Sequence, residues 1–276
     1  MRPCVEVAPG VLVMTSRREA TTSTLVLSGD RALVVDPAWD DDELTGVAAV
    51  VESSGAMCTA GVATHEHYDH VLWHPALPDV PRWSTPWSCD RLSRYRDEVL
   101  APLHGDLSPD LIDIAGRLIP YPGAPRPAAD VPLIPYPRNT RLPAPVPLPW
   151  GGREIVVHEH DAHVRGHVAL EIPDAGVLIA GDMFSDVEIP LPDLDDPDLS
   201  AYVVGLDRLA DVVRRSRILI PGHGTPTEDP MSRLDADRRY LDALLTGAQV
   251  SDTRITSPFL AQMHEENVKR ARAKQA

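Results

Sequence analysis

Thr64-His65-Glu66-His67-Tyr68-Asp69-His70 puts three histidines and an aspartate within six positions, directly after the short apolar run 57–63. That run reads as a strand, so the cluster stands where a strand stops. Alternate residues of an extended segment point the same way, which lets His65 and His67 address one metal ion. Asp69 and His70 continue into a tight turn that can aim them at a second point nearby. Imidazole nitrogens with a carboxylate oxygen suit zinc, and also manganese or iron. A solvated polar loop accounts for this density of ligand-type residues far less well.

Upstream, residues 24–27 and 31–35 are β-rich runs flanking the turn Ser28-Gly29-Asp30, a hairpin that ends at Asp36. Asp40, Asp41 and Asp42 then offer caps and N-terminal carboxylates to a helix running to about Ser53, with Gly55 as its stop. Downstream, 154–157 is a strand, and 168–172 and 177–180 form a second hairpin ending at Gly181-Asp182. Residues 199–215 read as a helix capped by Ser200, and 217–220 as a buried strand running into Pro221-Gly222-His223-Gly224. Residues 234–245 and the charged tail read as further helices. Three more ligand candidates therefore stand beside strand ends: His167, Asp182 and His223. His158, His160 and His163 read as polar strand or loop residues, and His74, His104 and His264 as ordinary histidines.

Eleven of the 28 prolines fall in 119–149. Proline fixes φ and removes a backbone donor, so neither a central strand nor a helix interior persists through such a segment. It reads either as a surface loop or as a semi-rigid flap over the site carrying Tyr121, Tyr136 and Trp150. Ligand candidates lie on both sides of it, so it marks no clean domain boundary.

With 276 residues the chain has room for one large domain and a sizeable core. A net charge of -15 disfavours a protein that grips phosphate backbones. Cys4, Cys58 and Cys89 are odd in number and form no C-x-x-C pair, which argues against a disulfide framework or a cysteine zinc site. The start MRPCVEVAPG lacks the apolar core of a signal peptide, and no run approaches a membrane span. The expectation is a cytoplasmic protein with a small-molecule substrate and neither nucleic acid nor membrane as partner; a homodimer is one assembly open to it.

The ordered motifs H-x-H-x-D-H, Gly-His, Gly-Asp and Gly-His-Gly resemble the metallo-β-lactamase superfamily, from residue 24 to about 245. The resemblance implies an α/β (α+β) fold, an αββα sandwich of two mixed sheets flanked by helices, with the site in loops at one edge. It implies two divalent metal ions, zinc first, with iron or manganese as alternatives. His65, His67 and His167 would hold one ion, Asp69, His70 and His223 the other, and Asp182 would bridge them. Asp69 would also hold the nucleophile in line, and Asp36 would orient a ligand histidine. One departure is Arg165-Gly166-His167, where the family often has Pro-Gly-His. Position 182 is not the cysteine of some metallo-β-lactamases, and His67 stands where flavodiiron-type relatives carry glutamate. What remains resembles hydrolases of esters, lactones and thioesters, such as quorum-signal lactonases and hydroxyacylglutathione hydrolases. Phosphodiesterases or nucleic-acid-processing enzymes, iron-dependent persulfide dioxygenases and β-lactamases are the alternatives.

Overall fold

A computed structural model describes residues 3–124, 143–193 and 199–275. In its first sheet, β1 (Val5–Ala8), β2 (Val11–Thr15), β3 (Thr22–Ser28) and β4 (Arg31–Val35) run antiparallel in order. β5 (Met57–Val62), β6 (Arg82–Ser84) and β7 (Ile119–Pro120) extend that sheet in parallel. The second sheet pairs β8 (Val146–Pro147), β9 (Val156–His160), β10 (His167–Ile172) and β11 (Val177–Ile179) antiparallel, and adds β12 (Ile218–Ile220) parallel to β11. The helices are α1 (Asp41–Ser53), α2 (Pro86–Leu100), α3 (Pro109–Ile114), α4 (Ser200–Arg215), α5 (Pro230–Thr246) and α6 (Pro258–Gln275).

Period-two alternation builds the layers. On β4, Leu33 and Val35 face the second sheet, whereas Ala32 and Val34 meet Val47 and Val51 of α1 on the outside. On β10 and β11, Val168, Leu170, Val177 and Ile179 join the inter-sheet core, while Ala169 and Leu178 pack with Leu206, Leu209 and Leu241 of α4 and α5. Both faces of the central strands are thus buried, which is why several of them read as continuous apolar runs. The result is the expected αββα sandwich.

Several details differ from the sequence reading. The strand expected at 154–157 runs to His160, because His158 pairs across the ladder with Ala169 and finds a buried partner in Glu171 (Nε2 to Oε2 2.8 Å). The helix α4 is preceded by Leu199 in a left-handed conformation, so Ser200 is its first residue and not its cap. β1 and β2, missing from the sequence reading, form the edge of the first sheet.

The described ends of the Pro-rich segment are β7 and β8, each an edge strand, where a missing N–H is tolerated. Tyr121 and Trp150 are buried in the inter-sheet core, so neither serves as a flap contact. Tyr136 lies outside the described residues.

This topology gathers loop after loop at one edge. The chain leaves β4 at Asp36, β5 at Thr64, β11 at Gly181 and β12 at Pro221. Val168 N–H donates to Thr64 C=O (2.9 Å) and Thr22 N–H to Gly222 C=O (2.7 Å), stitching the two sheets together at that edge.

Candidate metal centre

Of the expected residues, Asp69, His70 and His223 come together as one buried group, and His65, His67 and Asp182 fall in a second. The second group is completed by His163, where His167 was expected; within each group the ligand atoms lie within 4.8 Å of one another. His167 opens β10, and both its ring nitrogens are engaged elsewhere. Its Nε2 accepts from the backbone N–H of Asp182 (3.0 Å) and its Nδ1 lies 2.9 Å from His160 Nε2. Gly181 packs so closely on this ring that a Cβ there would collide with it. His163, in the loop between β9 and β10, is held by Leu191 C=O at Nδ1 (2.6 Å), which turns Nε2 towards His67 Nδ1 (3.0 Å) and Asp182 Oδ2 (3.3 Å). The sequence reading left His163 among polar strand or loop residues, because it lacks the Gly-His motif that singled out His167.

Asp182 joins the groups. Its Oδ2 lies 3.5 Å from His65 Nε2, 3.3 Å from His163 Nε2 and 3.3 Å from His223 Nε2, and its Oδ1 lies 3.0 Å from His70 Nε2. Asp69 Oδ2 lies 3.3 Å from both His70 Nε2 and His223 Nε2. Gly222 permits this crowding, since a Cβ there would run into Asp182 Oδ1.

The outer nitrogens of these imidazoles are tied down. Asp36 accepts from Thr64 N–H (2.8 Å, Oδ1) and from Thr64 Oγ1 (2.7 Å, Oδ2), and its Oδ2 faces His70 Nδ1 at 3.0 Å. The histidine that Asp36 orients is therefore His70. His223 Nδ1 faces the Glu19 carbonyl at 2.9 Å, and Thr21 Oγ1 donates to Asp69 Oδ2 at 3.1 Å. Carbonyls and carboxylates on the far ring nitrogen fix tautomer and ring orientation, the usual support of metal-binding histidines. Thr21, Glu19 and Thr64 carry no ligand motif, and only their approach in space marks them.

Burial keeps His65 well below the ordinary imidazole range, with His70 adding to the effect, and pushes His67 down to about 3, with His163 beside it. Burial opposes ionisation of Asp69 and Asp182, yet His70 and His223 around them hold both carboxyls below the usual range. Burial opposes charge on His70 and His223 as well, but Asp182 leads the carboxylates that raise both well above it. Imidazole ligates a metal in its neutral form, so a bound cation would replace the proton that the surrounding carboxylates favour on His70 and His223. His65 Nε2 is fully buried without a hydrogen-bond partner, an arrangement that is costly unless something else uses its lone pair. Nitrogen and oxygen donors so placed could hold metal ions, and suit divalent cations such as zinc, manganese or iron.

The profile of the metallo-beta-lactamase superfamily matches residues 16–245. A metallo-beta-lactamase family protein from Thermus thermophilus superposes with a TM-score of 0.61 at 19% identity, covering 98% of this chain and 96% of its own. A beta-lactamase domain protein from Burkholderia ambifaria gives 0.61 at 18% identity, with 97% and 87% covered. A metallo beta lactamase from Hirschia baltica gives 0.56 at 18% identity, with 84% and 96% covered. No curated protein matches the sequence.

Proposed function

We propose, from the premise that the chain belongs to the metallo-β-lactamase superfamily, that it is a binuclear metal-dependent hydrolase of a small carboxylic ester, lactone or thioester. The observation that carries this reading is Asp182, one carboxylate facing both histidine groups. His65, His67 and His163 would hold one ion, Asp69, His70 and His223 the other, and Asp182 both. Zinc is the first expectation. Two such ions supply Lewis acidity and bring the pKa of water towards neutrality.

The chain's own groups do the rest. Asp69 Oδ2 is occupied by His70, His223 and the Thr21 hydroxyl. That leaves Oδ1 to orient the attacking water and accept its proton. Asp36 and the Glu19 carbonyl hold His70 and His223 in place, so the site does not reorganise as charge develops. Neither a serine nor a cysteine nucleophile is needed. Cys58 is buried, and desolvation pushes its thiol up to about 11, away from nucleophilic duty.

The net charge of -15 favours a small substrate over nucleic acid. The test is a panel of lactone, thioester, simple ester, phosphodiester and cephalosporin substrates, run on zinc-, manganese- and iron-loaded protein. Turnover of one of the first three, well above that of the others, supports the assignment. Exclusive phosphodiester or cephalosporin hydrolysis, or oxygen consumption on a persulfide by the iron form, overturns it.

A further inference from the structure

His223 stands between two glycines, on the loop that links β12 to α5. Gly224 has φ +113, a conformation open to glycine, so the backbone beside the ring is soft. A histidine ligand on such a segment depends on outside contacts for its position. The β2–β3 loop supplies some of them: the Ala20 carbonyl accepts from Gly224 N–H (2.9 Å), and the Glu19 carbonyl faces His223 Nδ1.

The opposite side is held by the loop after β11, the one that carries Asp182. Two adjacent side chains of that loop grip the backbone around His223. Ser185 Oγ donates to the His223 carbonyl (2.8 Å), and Asp186 Oδ1 accepts from Thr225 N–H (2.9 Å). Asp186 Oδ1 packs so closely on Gly224 that a Cβ there would collide with it. Arg233 of α5 completes the grip. Its Nη2 donates to the Thr225 carbonyl (3.2 Å), and its Nη1 forms an ion pair with Asp186 Oδ1 (3.1 Å). Thr225 is therefore held at its N–H by Asp186 and at its carbonyl by Arg233. A single pair of this kind, with the Asp186 side chain one-third exposed, adds little to global stability. Its consequence is geometric: it ties together the two loops that bring Asp182 Oδ2 and His223 Nε2 within 3.3 Å.

We infer that Asp186 is a positioning residue, which through Thr225 sets where His223 stands relative to Asp182. The contact selectively supports the group formed by Asp69, His70 and His223. This rests on the two-metal reading above and adds to it the side chain that fixes one of the two groups. The part that matters is the hydrogen-bond acceptor and not the charge, because removing any carboxylate near bound cations weakens their binding through electrostatics alone.

The test titrates zinc stepwise against a chromophoric chelator. Asp186→Ala should weaken one of the two equivalents about tenfold, the low end of the loss expected when the support of a metal ligand is removed, and spare the other. The weakened equivalent should be the one that His223→Ala abolishes. Asp186→Asn removes the same charge but keeps an oxygen to accept from Thr225 N–H, and should recover most of the affinity. Asp207→Ala breaks an exposed pair with Arg238 of α5 (2.8 Å) and should match the wild type. Arg233→Gln should shift the same equivalent in the same direction by a smaller factor, and it decides the matter if Asp186→Ala does not fold. Wild-type affinities in Asp186→Ala or in Arg233→Gln, Asp186→Asn as weak as Asp186→Ala, or equal weakening of both equivalents overturns the inference. If the wild type binds fewer than two ions, the two-metal reading fails. Amide exchange at Thr225 and the His223 ring resonances of the metal-free protein then decide the positioning: both should change in Asp186→Ala and hold in Asp186→Asn, and no change in Asp186→Ala overturns it.

Discussion

At the level of single residues, the centre is defined by which histidine faces it. His163 has one nitrogen anchored on a carbonyl and the other free to face His67 and Asp182, whereas both His167 nitrogens are spent on protein partners. His163→Ala should therefore remove about one equivalent of metal per chain, measured by elemental analysis after exhaustive dialysis. His167→Ala should keep two equivalents at first loading and bind them less tightly, because it frees the Asp182 backbone. The reverse pattern would restore His167 as the ligand. Asp36→Asn should weaken metal binding by about 10- to 100-fold, the usual effect of losing the group that orients a ligand histidine, measured by competition with a chromophoric chelator. His65, His67, Asp69, His70, Asp182 and His223 were legible from motif and order alone. His163 was not legible as a candidate, because a Gly-His beside a strand has the same local signature whether its ring faces such a group or packs under a glycine.

At the level of elements, the loops that carry the ligands are braced from behind. Asp237 of α5 accepts from the Phe184 N–H (3.2 Å) and pairs with Arg254 at 2.6 Å, and Arg254 also donates to the Ser185 carbonyl (3.1 Å). Both partners of this pair are buried. Arg254→Ala leaves a buried carboxylate without its cation and should destabilise the fold by about 3–5 kcal/mol, read from denaturant unfolding. A loss under about 1 kcal/mol would show that the brace contributes little. On the outer face of the second sheet, Arg215 of α4 holds Glu171 through two hydrogen bonds (2.6 and 2.5 Å), and with His158 keeps its carboxyl below the usual range despite burial. Folding lowers this pKa, so its contribution is complete above the ordinary glutamate value of about 4.3. It disappears as pH falls through the depressed folded-state value. Glu171→Gln should flatten that acidic part of the stability curve, and an unchanged curve would assign the acid loss to other carboxylates. The hairpins and the helix α1 could be read from turn residues and alternation. β1, β2 and α2 were missed: β1 and β2 are short strands with little polar alternation, and α2 begins on a Thr85 cap and a proline amid polar residues.

At the level of the whole molecule, two sheets with opposite burial requirements meet so that four strand ends and the β2–β3 loop converge at one edge. The convergence follows from topology: β4 and β5 are parallel, as are β11 and β12, so the loops after them open on the same side. The motif order made this arrangement legible before any coordinates, since a sandwich of this kind brings residues 65 and 223 together. Loop geometry was not legible, because the approach of Glu19 and Thr21 depends on a turn whose left-handed residues, Glu19 and Ala20, carry no glycine to signal it. The most direct measurement is anomalous diffraction from crystals of protein purified without chelators. Two metal peaks per chain are expected, one among His65, His67 and His163 and one among Asp69, His70 and His223, with Asp182 between them. A single peak coordinated by His167, or no transition metal at all in a folded and well-ordered centre, would contradict the account.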